Sequence, residues 1–276
     1  MSLKLMYITN NPSIAKIAEN NGVDRIFIDL ECIGKSKRQH GMDTVKSGHT
    51  IADVAKIRKV IKNSQLLVRV NPIHSEIGGY PASKEEIDAV INNGAEIVML
   101  PYFKTVLEVK EFITYVNKRA KIMLLLETPE AVDCLDEILK IEGIDEIHIG
   151  LNDLSIGYNL DFLFAPLANG MVDRIIEKIK TTGIPYGFGG IASLGKGLLH
   201  SEYVIAEHYR LGSSFAILSR SFCNASSISD LKRVENQFSV GVKDIRDFEK
   251  KCENGGIDFG KNHLYVMEQV KKIMGE

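Results

Sequence analysis

The sequence predicts a (β/α)₈ barrel, an α/β fold in which eight parallel strands alternate with helices and close into a cylinder. Apolar runs of strand length recur eight times along the 276 residues, and amphipathic segments of helix length separate them. The runs are apolar on both faces, as expected for strands that helices cover. The length is close to that of a typical barrel. A doubly wound open sheet is the alternative, although no G-x-G-x-x-G follows an early strand to support its dinucleotide-binding form.

The predicted strands and helices follow one another in regular order. Several helices end at Asn-Gly or Glu-Gly, which is the expected punctuation at a helix C-terminus. The helical patterns include SIAKIAENNG, IADVAKIRKVIKN, KEEIDAVINNG, VLEVKEFITYVNKR and PEAVDCLDEILKIEG. The predicted strands are LKLMYIT from Leu3, RIFIDL from Arg25, LLVRV from Leu66, EIVML from Glu96, IMLLL from Ile122, EIHIG from Glu146, PYGFG from Pro185 and RLGSSFAIL from Arg210.

A single barrel domain over residues 1–276 is expected. The residues after about Ser227 differ in character, because they are helical, charged and interrupted by glycines. We expect their first part to form the last barrel helix. The last part is expected to form a C-terminal helical extension that packs on the barrel or on a neighbouring subunit.

The composition argues against nucleic-acid-binding and membrane-spanning proteins. The net charge of −2 does not provide the concentrated basic surface of a nucleic-acid binder. No apolar stretch reaches the roughly 20 residues that a membrane span requires. The four cysteines show no CxxC pairing, which is typical of reduced thiols in the cytoplasm. We therefore expect a cytoplasmic protein with neither a nucleic acid nor a membrane as its partner.

Polar residues follow several of the apolar runs, where each strand leaves the barrel. The C-terminal ends of barrel strands form one rim, and the chemistry of this fold is found there. Gly189 lies in the glycine-rich segment that ends the seventh run, which leaves room for a ligand to approach the backbone. The other candidate residues are Asp29, Glu31, Arg69, Asn71, Glu127 and Asp153.

Glu127 and Asp153 follow consecutive strands and should lie side by side at the rim. Two carboxylates that close repel each other unless a proton or a cation lies between them. Oxygen ligands favour a hard ion such as Mg²⁺ or Mn²⁺. The alternative is that Glu127 caps the helix starting at Pro129 and that Asp153 caps a turn.

Arg69 interrupts an otherwise apolar strand, where an unpaired guanidinium would be very costly. One interpretation is a structural ion pair with Asp29 or Glu31. The other is a fork that binds a carboxylate or enolate oxygen of a substrate.

Five segments in order resemble the HpcH/HpaI aldolase and citrate-lyase-beta family: IDLE, VRVNP, GAEIVMLP, LLLETPEAV and IHIGLNDLS. The resemblance implies a (β/α)₈ barrel that binds Mg²⁺ or a similar divalent ion, forms a homo-oligomer, and makes or breaks a carbon–carbon bond next to a 2-oxo acid or thioester. By position it implies that Glu127 and Asp153 bind the metal and that Arg69 polarises the substrate oxygen. It also implies that the backbone amides around Asn152 and Asp153 hold the substrate carboxylate.

The same resemblance implies that Asp29 and Glu31 order metal-bound water, but it leaves the general base open. Aldolases of the family commonly have a histidine directly after the DxE motif, and the citrate-lyase branch has an aspartate, whereas this chain has Cys32. His40 and His49 lie in the long loop that follows, and either could act as the catalytic base. A metal-bound hydroxide is another candidate, and exposure to solvent is the alternative for both histidines.

The sequence therefore predicts a divalent-metal-dependent carbon–carbon lyase of the class II aldolase type. Its substrates would be a small 4-hydroxy-2-oxo acid, with pyruvate as the enolate partner, and an aldehyde. A citrate-lyase-beta-like acyl-CoA lyase and a catalytically silent metabolite-binding barrel are the alternatives. The K-S-K-R segment at residues 35–38 is interpreted as solvated charge, the alternative being contact with an anionic substrate.

Overall fold

The computed structural model describes residues 2–35, 48–225, 228 and 230–275. Eight parallel strands close into a barrel in sequence order, with β8 paired to β1. The predicted (β/α)₈ architecture is therefore confirmed, and each strand overlaps its predicted run. The strands are β1 (Lys4–Ile8), β2 (Arg25–Asp29), β3 (Gln65–Arg69), β4 (Ile97–Leu100), β5 (Lys121–Leu126), β6 (Glu146–Ile149), β7 (Tyr186–Ile191) and β8 (Phe215–Leu218). β3 and β5 begin one residue before their runs, and β7 continues two residues beyond its run, to Ile191.

Helices cover the outside of the barrel and bury one continuous apolar layer against the strands. In the described part of the chain, none of them is long and apolar enough to cross a bilayer. They are α1 (Pro12–Asn20), α2 (Ile51–Val60), α3 (Ser83–Asn92), α4 (Val106–Val116), α5 (Pro129–Asp133), α6 (Leu135–Ile138), α7 (Leu151–Gly157), α8 (Ala165–Ala168), α9 (Met171–Lys180), α10 (Ser201–Leu211), α11 (Leu231–Glu253) and α12 (Phe259–Met274).

The eighth strand begins later than its apolar run predicts. The helix α10 continues through Arg210 to Leu211, and Gly212 ends it with a φ of 75°. A residue that tolerates positive φ is the usual end of a helix, so Gly212 marks the boundary between helix and strand. The strand starts only at Phe215.

The barrel interior is filled by side chains and is not a pore, as expected for eight strands. The apolar cluster inside it consists of Met6, Phe27, Leu67, Ile97, Met99, Met123, Leu125 and Phe215.

A buried ion pair lies at the N-terminal end of the barrel. Arg25 and Glu146 are the first residues of β2 and β6, and their side chains meet across the interior. The Arg25 Nη1 and Nη2 donate to the two Glu146 carboxylate oxygens at 2.6 Å each. The Arg25 guanidinium also lies over the Phe215 ring, 5.3 Å from its centroid. Each of these two buried charges therefore compensates the other.

The C-terminal helices complete the barrel wall and then extend beyond it. The helix α11 packs against α1 and α10, which makes it the eighth barrel helix, and α12 packs on α10 and α8. Glu207 on α10 is fully buried and accepts hydrogen bonds from Asn262 and His263 of α12 at 2.9 Å each. Leu264, 66% exposed, lies on the outer side of α12. The expected packing of this extension on another subunit stays a prediction.

Candidate active site

The rim formed by the C-terminal ends of the strands brings the predicted site residues together. Asp29 ends β2 and Arg69 ends β3, and the two residues are partners in the sheet register. Glu127 follows β5 directly, and Asp153 lies in the first turn of α7, just after β6. The three carboxylates are buried, and the Arg69 side chain is 15% exposed. Residues that are more than 120 positions apart in the sequence, Asp29 and Asp153, therefore lie at the same rim.

Arg69 is held by the acids at the end of β2. Its Nε and Nη2 donate to Asp29 Oδ1 and Oδ2 at 2.8 Å each, which is a two-point pairing. Its Nη1 lies 3.4 Å from Glu31 Oε2. Burial raises the pKa of Asp29, but the charges of Arg69 and Lys35 outweigh it and hold that pKa well below its ordinary value. The structure therefore contains the predicted ion pair between Arg69 and Asp29. Contact of Arg69 with a substrate oxygen stays a prediction.

Lys35 is a second cation of this cluster, and sequence patterns missed it. The interpretation of solvated charge is wrong for Lys35, because the residue is only 8% exposed. Its Nζ donates to Asp29 Oδ2 at 3.2 Å. No periodic pattern predicts the contact with Asp29. The spacing of four residues between Glu31 and Lys35 is compatible with the 3.4 Å that separates Lys35 Nζ from Glu31 Oε2. The rest of the K-S-K-R segment, residues 36–38, lies outside the described residues.

His49 lies beside the same acids, partly buried. Its Nδ1 accepts a hydrogen bond from the backbone N–H of Asp29 at 3.0 Å. Burial lowers the pKa of His49 below its ordinary value, which favours the neutral ring. A neutral imidazole that accepts at Nδ1 carries its proton on Nε2 and is a donor there. The catalytic role predicted for His49 stays a prediction, and His40 lies outside the described residues.

Asn71 fixes the backbone that follows Glu31. Its Oδ1 accepts from the backbone N–H groups of Cys32 and Ile33 at 2.8 and 2.9 Å. Its Nδ2 and its own N–H donate to the carboxylate of Glu86 on α3 at 2.8 and 3.1 Å. Burial raises the pKa of Glu86. Through Asn71, α3 therefore holds the turn that carries Cys32 in place.

Glu127 and Asp153 line one small cavity of about 40 Å³ at the rim. The backbone N–H of Tyr102 donates to Glu127 Oε1 at 3.0 Å. Tyr102 follows β4 with a φ of 48°, a value uncommon for a residue with a side chain. Asn152 Nδ2 donates to Asp153 Oδ1 at 3.1 Å. The cavity has room for a ligand of about the size of one water molecule.

The interpretation of Glu127 as the cap of α5 is wrong. The residue that caps α5 is Thr128, whose hydroxyl oxygen accepts from the N–H of Ala131 at 3.2 Å. The helix α7 has Gly150 at its N-cap position, and Asp153 lies inside the first turn. Thr128 therefore takes the capping position that was considered for Glu127, while the alternative that Asp153 caps a turn stays a prediction.

The two carboxylates fit a hard divalent cation. All their donor atoms are oxygen, they line the same cavity, and Gly150 leaves open the space that Glu127 occupies. Over the described residues, no group of three or more His, Cys, Asp and Glu side chains converges on a metal position. Mg²⁺ is commonly held by one or two carboxylates, with water and substrate as the remaining ligands. The assignment of Glu127 and Asp153 as ligands stays a prediction.

Asn152 is part of α7, and Gly189 of β7 packs against the start of that helix. Asn152 belongs to its first turn, where backbone N–H groups have no partner within the helix. Gly189 has a φ of 53° at an irregular point of β7, and a Cβ there would lie 2.8 Å from Leu151 Cδ1. Close packing against Leu151 therefore explains the glycine, and the predicted approach of a substrate stays a prediction.

Replacing Gly150 by alanine is expected to displace Glu127. The added Cβ would lie 2.6 Å from Glu127 Oε2 and 2.8 Å from Glu127 Cβ, so the carboxylate must move away from the Tyr102 N–H. We expect a loss of about 1–3 kcal/mol in the free energy of unfolding, measured by urea denaturation. Gly260→Ala is the control, because its Cβ would meet Asp258 Oδ1 at an ordinary 3.4 Å. A Gly150→Ala protein as stable as this control would contradict the steric argument.

The sequence is similar to known aldolases over part of its length. It is 29% identical over 98 residues to hydroxypyruvate/pyruvate aldolase from Roseovarius nubinhibens, covering 35% of this chain and 37% of that protein. It is 34% identical over 86 residues to 2-keto-3-deoxy-L-rhamnonate aldolase from Escherichia coli, covering 30% of this chain and 32% of that protein. The matched segment thus spans about a third of the length of these curated relatives.

Solved structures of low sequence identity share the fold over most of the chain. The HpcH/HpaI aldolase from Desulfitobacterium hafniense has a TM-score of 0.61 at 17% identity, covering 89% of this chain and 93% of that one. A HpcH/HpaI aldolase/citrate lyase family protein from Burkholderia cenocepacia has a TM-score of 0.62 at 15% identity, covering 84% of this chain and 94% of that one. The model of the HpcH/HpaI aldolase/citrate lyase family matches residues 4–184, which is more than half of the chain. The chain belongs to the HpcH/HpaI aldolase/citrate lyase family.

Proposed function

We propose that the protein is a divalent-metal-dependent carbon–carbon lyase that cleaves or forms a 4-hydroxy-2-oxo acid through a pyruvate-like enolate. The observation that carries this proposal is the position of two buried carboxylates, Glu127 and Asp153, on one cavity at the rim that also holds Arg69. Membership of the family supports a lyase. The names of the two aldolase relatives support a 2-oxo acid as the substrate.

Glu127 and Asp153 would hold the divalent ion, Mg²⁺ or Mn²⁺, which when bound supplies positive charge beside the 2-oxo group. Arg69 adds a second, fixed positive charge, since Asp29 holds its Nε and Nη2. We assign its Nη1 to the substrate oxygen, because this nitrogen makes the longest of the three contacts, 3.4 Å to Glu31. The N–H groups of the first turn of α7 would bind the substrate carboxylate, as anions favour a helix N-terminus.

Cleavage requires a base that takes the proton of the 4-hydroxyl group as the bond between C3 and C4 breaks. His40, which lies outside the described residues, is the candidate for this base. The hydroxyl-bearing carbon departs as an aldehyde, and the electron pair of the broken bond stays on the pyruvate part as an enolate, which then takes up a proton at C3. The Arg69 charge stabilises the oxygen on which negative charge develops. His49 carries its proton on Nε2 when it accepts from Asp29, so we assign it to hydrogen-bond donation.

Exchange of the pyruvate methyl protons in D₂O, followed by NMR with and without Mg²⁺ or Mn²⁺, tests this function. We expect exchange that depends on the ion and falls roughly 100-fold or more in Glu127→Gln, because the amide lacks the negative charge that binds the cation. Glu130→Gln is the matched control, since Glu130 is 50% exposed and contacts Lys104 at 2.7 Å. This control is expected to exchange at the wild-type rate.

If folded, metal-loaded protein exchanges no methyl protons of pyruvate, this would contradict the proposed pyruvate aldolase activity. Turnover of an acyl-CoA thioester by the same protein would then support the citrate-lyase-like alternative. Metal binding without any turnover would support the silent barrel.

A further inference from the structure

Lys35 occupies a specific place in the rim cluster. Its side chain is 10% exposed, and its Nζ lies 3.2 Å from Asp29 Oδ2 and 3.4 Å from Glu31 Oε2. The Lys35 backbone N–H approaches the carbonyl oxygen of Cys32 at 3.4 Å, which closes the turn that brings the ammonium back over the end of β2. Burying an ammonium is costly unless it is paired. The two carboxylates supply that pairing.

Lys35 and Arg69 share the same two carboxylate oxygens. The Arg69 Nη2 lies 2.8 Å from Asp29 Oδ2, and its Nη1 lies 3.4 Å from Glu31 Oε2. The side chains of Asp29 and Glu31 are 5% and 2% exposed, so water screens their charges little. In this group of four side chains, two positive charges balance two negative ones.

The balance matters when an anionic substrate arrives. Without Lys35, the other three side chains would carry a net charge of −1, which repels a 2-oxo acid and draws Arg69 more strongly to Asp29 and Glu31. With Lys35 in place, Glu31 keeps a cation when the Arg69 Nη1 turns away from it.

We propose that Lys35 is a positioning residue, which compensates Asp29 and Glu31 so that Arg69 can bind an oxygen of the 2-oxo acid, a role that rests on the proposed function. Lys35 acts here through Arg69 and need not touch the substrate. Its removal should therefore weaken substrate binding more than it slows the chemical step.

Steady-state pyruvate exchange in Lys35→Met, Lys35→Arg and Lys178→Met tests this role. We expect the KM for pyruvate to rise about tenfold or more in Lys35→Met while kcat stays within about threefold. Lys35→Arg retains the charge and should restore most of the affinity. Lys178→Met is the matched control, because Lys178 is 44% exposed and pairs with Asp136 on the outer helices at 2.8 Å. If Lys35→Met does not fold, Lys35→Gln replaces it under the same comparison.

A Lys35→Met protein with the KM of the control would overturn the role. So would a fall in kcat at unchanged KM, which would make Lys35 a proton-transfer group. If the wild type shows no exchange, the proposed function fails. The role of Lys35 is then tested separately by calorimetry, which measures the binding of oxalate in the presence of Mg²⁺. We then expect the Kd of oxalate to rise about tenfold in Lys35→Met relative to Lys178→Met. An equal Kd, or no binding of oxalate to the wild type, would overturn the role.

Discussion

Glu146→Ala is expected to lower the free energy of unfolding by about 3–5 kcal/mol, because it leaves the Arg25 guanidinium buried without its counter-ion. Arg25 is fully buried, and the Glu146 side chain is 7% exposed. The other hydrogen bonds of Arg25 are weaker: its Nε donates to Gln65 Oε1 at 3.2 Å and its Nη1 to Met6 Sδ at 3.9 Å. Urea denaturation followed by circular dichroism measures the effect. Asp136→Ala is the control, since that carboxylate is 64% exposed and its loss should cost about 1 kcal/mol or less.

A double variant, Arg25→Met with Glu146→Leu, separates the cost of an unpaired charge from the value of the pair. Replacing both partners by apolar side chains of similar volume removes the uncompensated charge, so most of the lost stability should return. A Glu146→Ala protein within about 1 kcal/mol of the wild type would show that water or another group reaches Arg25, and would contradict the prediction.

Arg69→Lys is expected to reduce metal-dependent pyruvate exchange roughly 100-fold or more while leaving the protein folded. Lysine keeps the positive charge, so Asp29 remains compensated. It lacks the planar fork, however, and one ammonium cannot hold both oxygens of Asp29 and also present a directed N–H to a substrate. NMR measurement of exchange, together with thermal unfolding, distinguishes a lost function from a lost fold.

Arg210→Lys is the matched control for this substitution. Arg210 also forms a two-point pair, with Asp173 at 2.6 and 3.1 Å, but it lies on α10 outside the rim. We expect Arg210→Lys to lower stability and to leave exchange within about threefold of the wild type. Equal exchange rates in the wild type and Arg69→Lys would remove Arg69 from the proposed mechanism.

The sequence predicted those residues of the candidate site that lie at or just after the end of a strand. Asp29, Arg69, Glu127 and Asp153 were predicted at one rim because parallel barrel strands all finish on the same side. The helix-capping alternative for Glu127 could not be rejected in this way, since Glu127 and Thr128 are neighbours and either side chain can reach the first turn. The structure selects Thr128 through its bond with the N–H of Ala131.

The sequence by itself determined the eight βα units and the position of the rim, because apolar periodicity and helix punctuation are local properties of the chain. Only the tertiary structure decided which charges meet. Arg25 and Glu146 pair across 121 residues, Lys35 turns back onto Asp29, and the Tyr102 N–H reaches Glu127. These contacts depend on the barrel diameter, the strand stagger and single backbone angles, and none of these leaves a periodic trace in the sequence.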